Sequence, residues 1–540
     1  MELSFVRQGR AGIALLAGLA IAACAPAEAA PPAPATPTAS PARPAAVPVE
    51  LLASVSLGPA STLRGLQAYL DAIKPGIGAT LSEQVVRRQL ASALGVPSLD
   101  GLDPSPWLTV MISDANGTPT VSVLGKVGDA KRLTAAVGAD HVTSKNGWAV
   151  IGGKPQLDRL APYAFGVLAG QATPRAPTAT VYVPQVLTRY QPQLALVKTQ
   201  MLGVLAQSQG ASGPMAKLMT SYLEGLASIG DDTLQVIITL DAAPELAALD
   251  FALVPRGKSR LAEFTAAQKP TDFALLDKLP ALTPAVLLGG RLDLGPYHEG
   301  FLTLMATFFD PSASKDLIAA FEQVRKAMTG EVAMAFQLAP GSGLQMVQLT
   351  GTDDAKLASQ GIGRVLDLFK AGRTMAIEGV ATTIKALPQT TTYDGVTLRG
   401  YDTTYDLSKA SPAQRDIHKK LAPNDVQHAQ VATFDAVTLI AASADAAGDA
   451  RKAIDASRGK PGAARFTASG LTRDQLAASR ARKDSMALVF DLGRMIPAFA
   501  ARATAVSAPI VMSFGAPDHN AHVRLAVPAE TLHAAAGMAP

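Results

Sequence analysis

Residues Trp107-Leu-Thr-Val-Met-Ile-Ser113 form an apolar run that is followed by the turn-forming residues Asp114-Ala-Asn-Gly117 and by a second run, Thr120-Val-Ser-Val-Leu124. Two runs rich in β-branched residues on either side of a short Gly-containing segment predict a β-hairpin. Asp129 follows, in a position where its side chain can cap a helix. The order strand, turn, strand, capped helix is the pattern from which the rest of the chain can be interpreted.

The same pattern returns more than two hundred residues later. Glu331–Gln337 predicts a strand, Pro340–Gly343 a turn and Leu344–Leu349 a second strand, and Asp354 stands where a helix would begin. The tripeptide Asp-Ala-Lys occupies the same place in both copies, at 129–131 and 354–356. Further strand–helix pairs on either side recur in the same order. Such internal repetition predicts two homologous tandem halves, 49–278 and 279–540.

Each half is predicted to be α+β, with mostly antiparallel sheet and helices packed on one face. Apolar and polar residues alternate in many of the strands, which favours a sheet covered on one side. A parallel βαβ sheet is the alternative, and the hairpins argue against it. The last repeated element of the first half is predicted to be a helix over 243–248. In the insertion of the second half, the patterns predict helix over 362–387, a hairpin over 390–407 and a charged loop over 408–428.

The N-terminus has the features of an export signal. Arg7 and Arg10 precede an apolar run, Gly12–Ala23, that is too short to span a bilayer. The run ends in Ile21-Ala22-Ala23-Cys24, which resembles the lipobox of bacterial lipoproteins. That resemblance implies lipidation of Cys24 and cleavage just before it, with 1–23 as the signal peptide. The alternative is an ordinary signal peptide in which Cys24 has no special role.

Residues 24–48 are predicted to be a lipidated cysteine followed by a tether. From Pro26 to Pro48 the chain consists almost entirely of Ala, Pro, Thr and Ser, a composition that forms semi-rigid extended spacers. The membrane would be reached through the lipid anchor on Cys24. By the same resemblance, Ala25 after the cysteine favours the outer membrane facing the periplasm, with the cell surface as the alternative.

Composition restricts the kind of core, the partners and the cross-links that the chain can have. Hydrophobic residues make up 48% and charged residues 17% of the chain, and the net charge is +4, so a well-buried core is expected. Runs of Lys and Arg typical of nucleic-acid binding are missing, so no nucleic-acid partner is predicted. Cys24 is the single cysteine, which excludes an intrachain disulfide.

The body is similar to an uncharacterised group of exported bacterial proteins built from duplicated strand–helix modules. The resemblance is carried by short turns: Leu-Gly-Pro at 57–59 and 294–296, and the two Asp-Ala-Lys corners. No activity is implied by it.

Motifs for catalysis or metal binding are incomplete. His519 and His522 have metal-ligand spacing but no third ligand, and a solvated turn is the simpler interpretation. Ser312–Lys315 and Ser457–Lys460 match Ser-x-x-Lys without the partner motifs of penicillin-binding enzymes. We therefore predict no catalytic residue, no cofactor and no metal.

Apolar residues are concentrated in two helical patterns, and two interpretations remain open. The pattern is typical of buried core, and it is also compatible with an apolar groove. The groove would be lined by Phe301, Leu304, Met305, Phe308, Met201, Met215 and Met219.

The resulting hypothesis is a non-enzymatic, membrane-anchored envelope lipoprotein. It would act as a binding or scaffold module for an envelope protein or an apolar ligand such as a lipid. The alternative is an envelope hydrolase whose catalytic residues come together only in the fold.

Overall fold

The computed structural model describes residues 46–58, 60–103, 108–115, 117–171, 174–209, 220, 224–225, 227–297, 311–339, 343–377, 380–499 and 508–536. The signal peptide, Cys24 and nearly all of the tether lie outside these ranges. The last residues of the predicted tether are included, and Val47 packs against core residues of the body.

Up to residue 256, strands and helices alternate irregularly. In chain order they are β1 (Leu51–Ser56), α1 (Ala60–Ile73), α2 (Glu83–Leu94), β2 (Thr109–Ser113), β3 (Thr120–Lys126), α3 (Ala130–Val137), β4 (Val142–Lys145), β5 (Trp148–Ile151), α4 (Lys154–Gly166), β6 (Thr178–Tyr182), α5 (Val183–Gln209), β7 (Thr233–Ala243) and β8 (Leu246–Pro255).

The second part of the chain contains longer strands. Its elements are α6 (Arg260–Ala267), β9 (Val286–Arg291), α7 (Pro311–Lys326), β10 (Met328–Ala339), β11 (Gly343–Thr352), α8 (Ala355–Leu368), β12 (Arg373–Ile377), β13 (Val380–Tyr393), β14 (Val396–Asp406), α9 (Pro412–Leu421), β15 (Val426–Phe434), β16 (Val437–Ser443), α10 (Ala446–Arg458), α11 (Gly470–Arg482), β17 (Met486–Phe490), α12 (Leu492–Phe499), β18 (Ile510–Gly515), β19 (Ala521–Pro528) and α13 (Ala529–Ala536).

The chain forms two compact units. Within the described ranges, unit A contains residues 46–197, 229–256 and 520–536, and unit B contains 198–228 and 257–519. The C-terminal strand β19 thus belongs to unit A, where it pairs with β8. The units therefore divide the chain differently from the predicted halves at 278/279.

In unit A the strands pair in the order β4-β5-β3-β2-β1-β6-β7-β8-β19, and every pair is antiparallel. The α+β class and the antiparallel sheet are confirmed. Sequential hairpins supply several of these pairs, as expected for antiparallel topology.

Both faces of the unit A sheet are covered around β2, which corrects the expectation of helices on one face. Met111 packs with Leu160 of α4, whereas the preceding residue, Val110, packs with Leu133 of α3. Successive strand residues point to opposite faces, so α4 and α3 lie on different sides. The continuous apolar run at Trp148–Ile151 is the sequence feature that matches burial on both faces.

The β2–β3 turn is fixed by a buried carboxylate. Asp114 has a side chain with no exposed surface and accepts hydrogen bonds from Arg189 Nη2 at 2.8 Å and Tyr190 Oη at 3.0 Å. The Gly117 amide donates to it at 2.6 Å. The hydrogen bond from Arg189 is the main cause that lowers the pKa of Asp114.

In unit B the strand order is β12-β13-β14-β15-β16-β11-β10-β9-β17-β18, again antiparallel throughout. Residues of α7 and α8 pack with Met346 and Ile440 in one core. Every residue of β16 is buried, and α10 also contacts this strand. The central strand of unit B is therefore covered on both faces as well.

Three local predictions were wrong. Residues 243–248 form the β7–β8 turn rather than a helix, and the helix predicted over 362–387 ends at Leu368, after which β12 and β13 begin. The loop predicted over 408–428 contains α9, which starts with a capping box between Ser411 and Gln414. The β-branched residues Thr382, Thr383 and Ile384 favour a strand, which the helical prediction overlooked.

Candidate functional site

A cavity of about 370 Å³ lies in unit B, beside the N-terminal half of α8. It is bounded by β14, β15, the β13–β14 and β15–β16 turns and the end of α10. Side chains that define it include Ser359, Ile362, Thr397, Arg399, Thr433 and Arg458. Its volume is near the lower end of the range for small-molecule sites.

Strand alternation places Arg399 at the margin of the unit B core. Tyr401, two residues further along β14, is 3% exposed and belongs to the core under α8. Arg399 points to the same face and stands opposite Val431 of β15 in the register. Its stem therefore lies beside buried apolar groups, while its guanidinium reaches the cavity.

The Arg399 guanidinium has no ion pair and no hydrogen bond within the described residues. It lies close to the backbone of α8. A Cβ atom added to Gly363 would be only 2.6 Å from Arg399 Nη1. Glycine inside a helix destabilises it by roughly 0.5–1 kcal/mol relative to alanine. At this position, glycine leaves the room that the guanidinium occupies.

The opposite rim of the cavity is formed by a paired cation. Arg458 donates from Nη1 to Asp394 Oδ2 at 2.6 Å and from Nε to Asp435 Oδ2 at 3.1 Å. Lys460 Nζ lies 3.0 Å from the same Asp394 oxygen. Hydrogen bonds from Lys460 and then from Arg458 lower the pKa of Asp394. The charge of Arg458 is thus balanced within the protein.

These contacts also position the β13–β14 turn. Asp394 and Gly395 both have positive φ, 49° and 75°, which is the backbone of the tight hairpin turn expected at this Asp-Gly pair. Tyr393 Oη donates to Asp455 Oδ2 at 2.7 Å, and Lys460 Nζ lies 5.1 Å from the Tyr393 ring centroid. The turn is therefore held against the end of α10.

The hydroxyl groups of Ser359 and Thr397 have no hydrogen-bond partner in the described part of the chain. The cavity thus combines one uncompensated guanidinium, two available hydroxyls and an apolar patch at Ile362 and Val431. This set can bind a small polar ligand. It contains no histidine that could act as a general base.

The residues predicted for an apolar groove cannot be compared with the cavity. Met215, Met219, Phe301, Leu304, Met305 and Phe308 lie outside the described residues, as does Cys24. Met201 falls within α5, but its side chain is outside the described part.

The His519/His522 pair is not arranged as a metal site. His519 lies in the turn before β19 with φ of 64°, and His522 Nδ1 lies 3.0 Å from Asp250 Oδ1. Among the described residues, no group of three or more His, Cys, Asp or Glu side chains could hold a metal.

Besides His522 and Asp250, the structure brings together a second histidine–carboxylate pair that the sequence did not predict. His428 on β15 and Asp402 on β14 are register partners, with Nδ1 to Oδ1 at 2.8 Å. Ser443 is the register partner of His428 on the next strand, but its hydroxyl donates to buried Asp449 at 2.7 Å. Within the described residues this pair has no bonded nucleophile.

Comparison with protein-family models, curated proteins and solved structures found no match to this chain. In the described part of the chain, no helix is both long and apolar enough to cross a membrane.

Proposed function

We propose that the protein is a non-enzymatic envelope lipoprotein that binds a small ligand in the cavity of unit B. The observation that carries this proposal is the uncompensated Arg399 guanidinium beside a cavity of about 370 Å³. A charge held at the edge of a core without a protein partner is destabilising unless water or a ligand meets it. The other nearby cation, Arg458, already has two carboxylate partners.

The anchor in this proposal is a lipid on Cys24, and the tether extends from that cysteine to the body. The lipobox sequence Ile21–Cys24 and the Ala/Pro-rich stretch after it support this arrangement. We place the body in the periplasm, at the outer membrane, with the cell surface as the alternative. An envelope protein that docks on the body is a further partner compatible with the tether.

We also propose that the two halves arose by tandem duplication. In unit A the series β5-β3-β2-β1-β6-β7 has the same pairing order as β16-β11-β10-β9-β17-β18 in unit B. Asp129 caps the helix that follows β3, and Asp354 caps the helix that follows the corresponding strand β11. The segment from β12 to α9 has no counterpart in unit A.

The duplication explains where the cavity lies. Arg399 and Thr397 come from β14, within the extra segment, whereas α8, β15, β16 and α10 belong to the repeated framework. We infer that the insertion converted one end of the repeated framework into a ligand site.

A hydrolase is the second candidate, and the Asp402–His428 and Asp250–His522 pairs are the observations that favour it. An oriented histidine is one part of a nucleophile–base arrangement, but a hydroxyl or thiol within reach is also required. This alternative would be supported if a fluorophosphonate that reacts with active-site serines labelled the wild-type protein but not H428A.

Native mass spectrometry of the full-length chain, extracted from envelopes in a non-ionic detergent, tests the binding proposal. We expect a lipid-modified chain that carries a small co-purifying ligand, and we expect R399Q to lose that ligand. R473Q is the matched control, because Arg473 is exposed and its ion pair in the described part of the chain is with its neighbour Asp474. A bare chain in both wild type and R399Q would contradict the proposal.

The same spectra test the anchor. C24S should lack the lipid mass and should retain residues 1–23 or be released from the membrane fraction. A wild-type chain that begins after residue 23 without added lipid would contradict the anchor without affecting the cavity.

A further inference from the structure

We propose that the cavity recognises the carboxylate of a small monoanionic ligand, which Arg399 would bind with two parallel N–H···O bonds. This inference rests on the proposed binding function and adds the chemical class of the ligand. Guanidinium groups present a planar fork that matches a carboxylate and strengthens such hydrogen bonds through charge.

The charge balance of the cavity favours a monoanion. Its wall carries Arg399, Arg458 and Asp435, and Arg458 is paired with Asp435 and Asp394. The three charges of the wall sum to +1, and of its two arginines Arg399 is the one without an acid partner among the described residues. A phosphate monoester carries about 1.5 to 2 negative charges at neutral pH, so it would leave charge uncompensated next to Asp435. A carboxylate is matched by Arg399 alone.

The other residues of the cavity wall restrict which groups the ligand carries beside its carboxylate. Ile362 and Val431 are 5% and 2% exposed and line the cavity beside Arg399, so a short apolar group fits next to the carboxylate. The free hydroxyls of Ser359 and Thr397 can each donate or accept one further hydrogen bond. A small carboxylate with one short side chain and one amide or hydroxyl group satisfies all of these features.

Gly363 offers a second way to test Arg399 as the ligand contact. An alanine there would place Cβ 2.6 Å from the guanidinium and would displace the group that meets the carboxylate. We therefore expect G363A to weaken binding although Arg399 is still present. If Arg399 had a purely structural role, G363A would not be expected to weaken ligand binding.

Isothermal titration of the full-length chain in non-ionic detergent with N-acetylalanine, N-acetylalanine amide and inorganic phosphate tests the inference. We expect the carboxylate to bind and the amide and phosphate to bind at least roughly tenfold more weakly, because a charge-assisted pair is lost or mismatched. Equal affinity for the acid and its amide would overturn the inference. So would preferential binding of phosphate, or the absence of binding by all three probes.

Variants separate the cavity from the remainder of the surface. R399Q should lower the affinity for N-acetylalanine roughly tenfold to a hundredfold, and G363A should lower it several-fold, whereas R473Q should bind like wild type. Circular dichroism and the unfolding temperature of each variant check that the fold is intact. An R399Q variant that is folded and binds like wild type would refute the assignment. A non-carboxylate ligand in the native mass spectra that depends on Arg399 would refute this inference and leave the proposed binding function standing.

Discussion

Unit A and unit B each place an arginine beside a core, and the two arginines have opposite surroundings. In unit A, Arg189 donates to buried Asp114, which also accepts from Tyr190 and the Gly117 amide. In unit B, Arg399 reaches a cavity and meets no acid among the described residues. The first cluster satisfies its own charges, whereas the second leaves one charge available to a ligand.

Under the proposed function, the arginine of unit A stabilises the fold, whereas the arginine of unit B binds a ligand. The Asp114 cluster fastens the β2–β3 turn to the start of α5, near Tyr190, where the helix has non-helical φ and ψ of −108° and 16°. The Arg399 cavity appears where unit B has its extra strands. Variants that remove single groups from the Asp114 cluster or from the Arg399 cavity test this comparison.

Removal of the Asp114 carboxylate should have the largest effect on stability. D114A leaves Arg189 and Tyr190 without their shared acceptor, and an uncompensated charge beside a core is strongly destabilising. We expect the unfolding temperature to fall by several degrees and amide protection in 109–126 to decrease. Differential scanning calorimetry and hydrogen exchange read by mass spectrometry measure both.

The matched control is D100A, which removes an exposed carboxylate that also pairs with an arginine. Asp100 and Arg132 are 57% and 67% exposed, and such surface pairs contribute little. Equal destabilisation by D114A and D100A would contradict the structural role of the Asp114 cluster.

Mild acid should destabilise unit B before unit A. Burial lowers the pKa of His418, with a smaller opposing effect from Asp425, and its ring lies 5.2 Å from that of Tyr405. Because an unfolded histidine has a pKa near 6.5, the unfolded state binds the proton more readily below that pH. Stability should therefore fall as the pH drops from about 7 towards the lowered pKa.

Asp114 has the opposite response. Its pKa is lowered in the folded state, so its contribution is complete above the ordinary aspartate pKa of about 3.9 and is lost only as the pH falls through the folded value. Hydrogen exchange at pH 7.5 and pH 5.5 should show loss of protection around 412–421 and not around 109–126. In H418Q the loss around 412–421 should become smaller; an unchanged loss would contradict the assignment to His418.

Much of the fold could be predicted because local patterns determine it. The hairpin at Thr109–Lys126, the caps at Asp129 and Asp354 and the strand Met486–Phe490 follow from β-branched runs and capping residues. Coverage of both sheet faces was missed because the burial of Val110 and Met111 on opposite sides depends on distant helices. The pairing of β19 with β8 likewise joins residues more than 250 positions apart.

The cavity was predictable only in part. The hairpin around Asp394–Gly395 was expected, and Thr397, Arg399 and Tyr401 occupy one face of it by alternation. The sequence feature that could have indicated the cavity is Arg399, which shares a strand face with the aromatic residue Tyr401. The positions of Gly363 and Val431 around that arginine depend on long-range packing of α8 and β15, which the sequence pattern does not specify.

A double-mutant cycle at Arg399 and Gly363 should reveal a smaller energetic coupling. R399Q should not destabilise the protein and should raise the free energy of unfolding by up to about 1 kcal/mol, because it removes a guanidinium that has no acid partner among the described residues. G363A in the R399Q background should stabilise α8 by roughly 0.5–1 kcal/mol through helix propensity. In the wild-type background the guanidinium must move, so the gain should be smaller. Equal gains in urea unfolding would show that the two groups do not touch.

The smallest expected effect concerns the Asp402–His428 pair. Both side chains are partly exposed, at 27% and 50%, so D402N should change the free energy of unfolding by less than about 1 kcal/mol. If the protein is a binding module, H428A should bind N-acetylalanine like wild type, and neither protein should be labelled by the fluorophosphonate.

A second variant, S443A, should affect the fold instead. Because Ser443 already donates to Asp449, S443A should loosen the start of α10, where Asp445 caps the helix and its amide donates to the Ser443 hydroxyl. Labelling of wild type that both H428A and S443A abolish would reverse this interpretation and make unit B the catalytic half of the molecule.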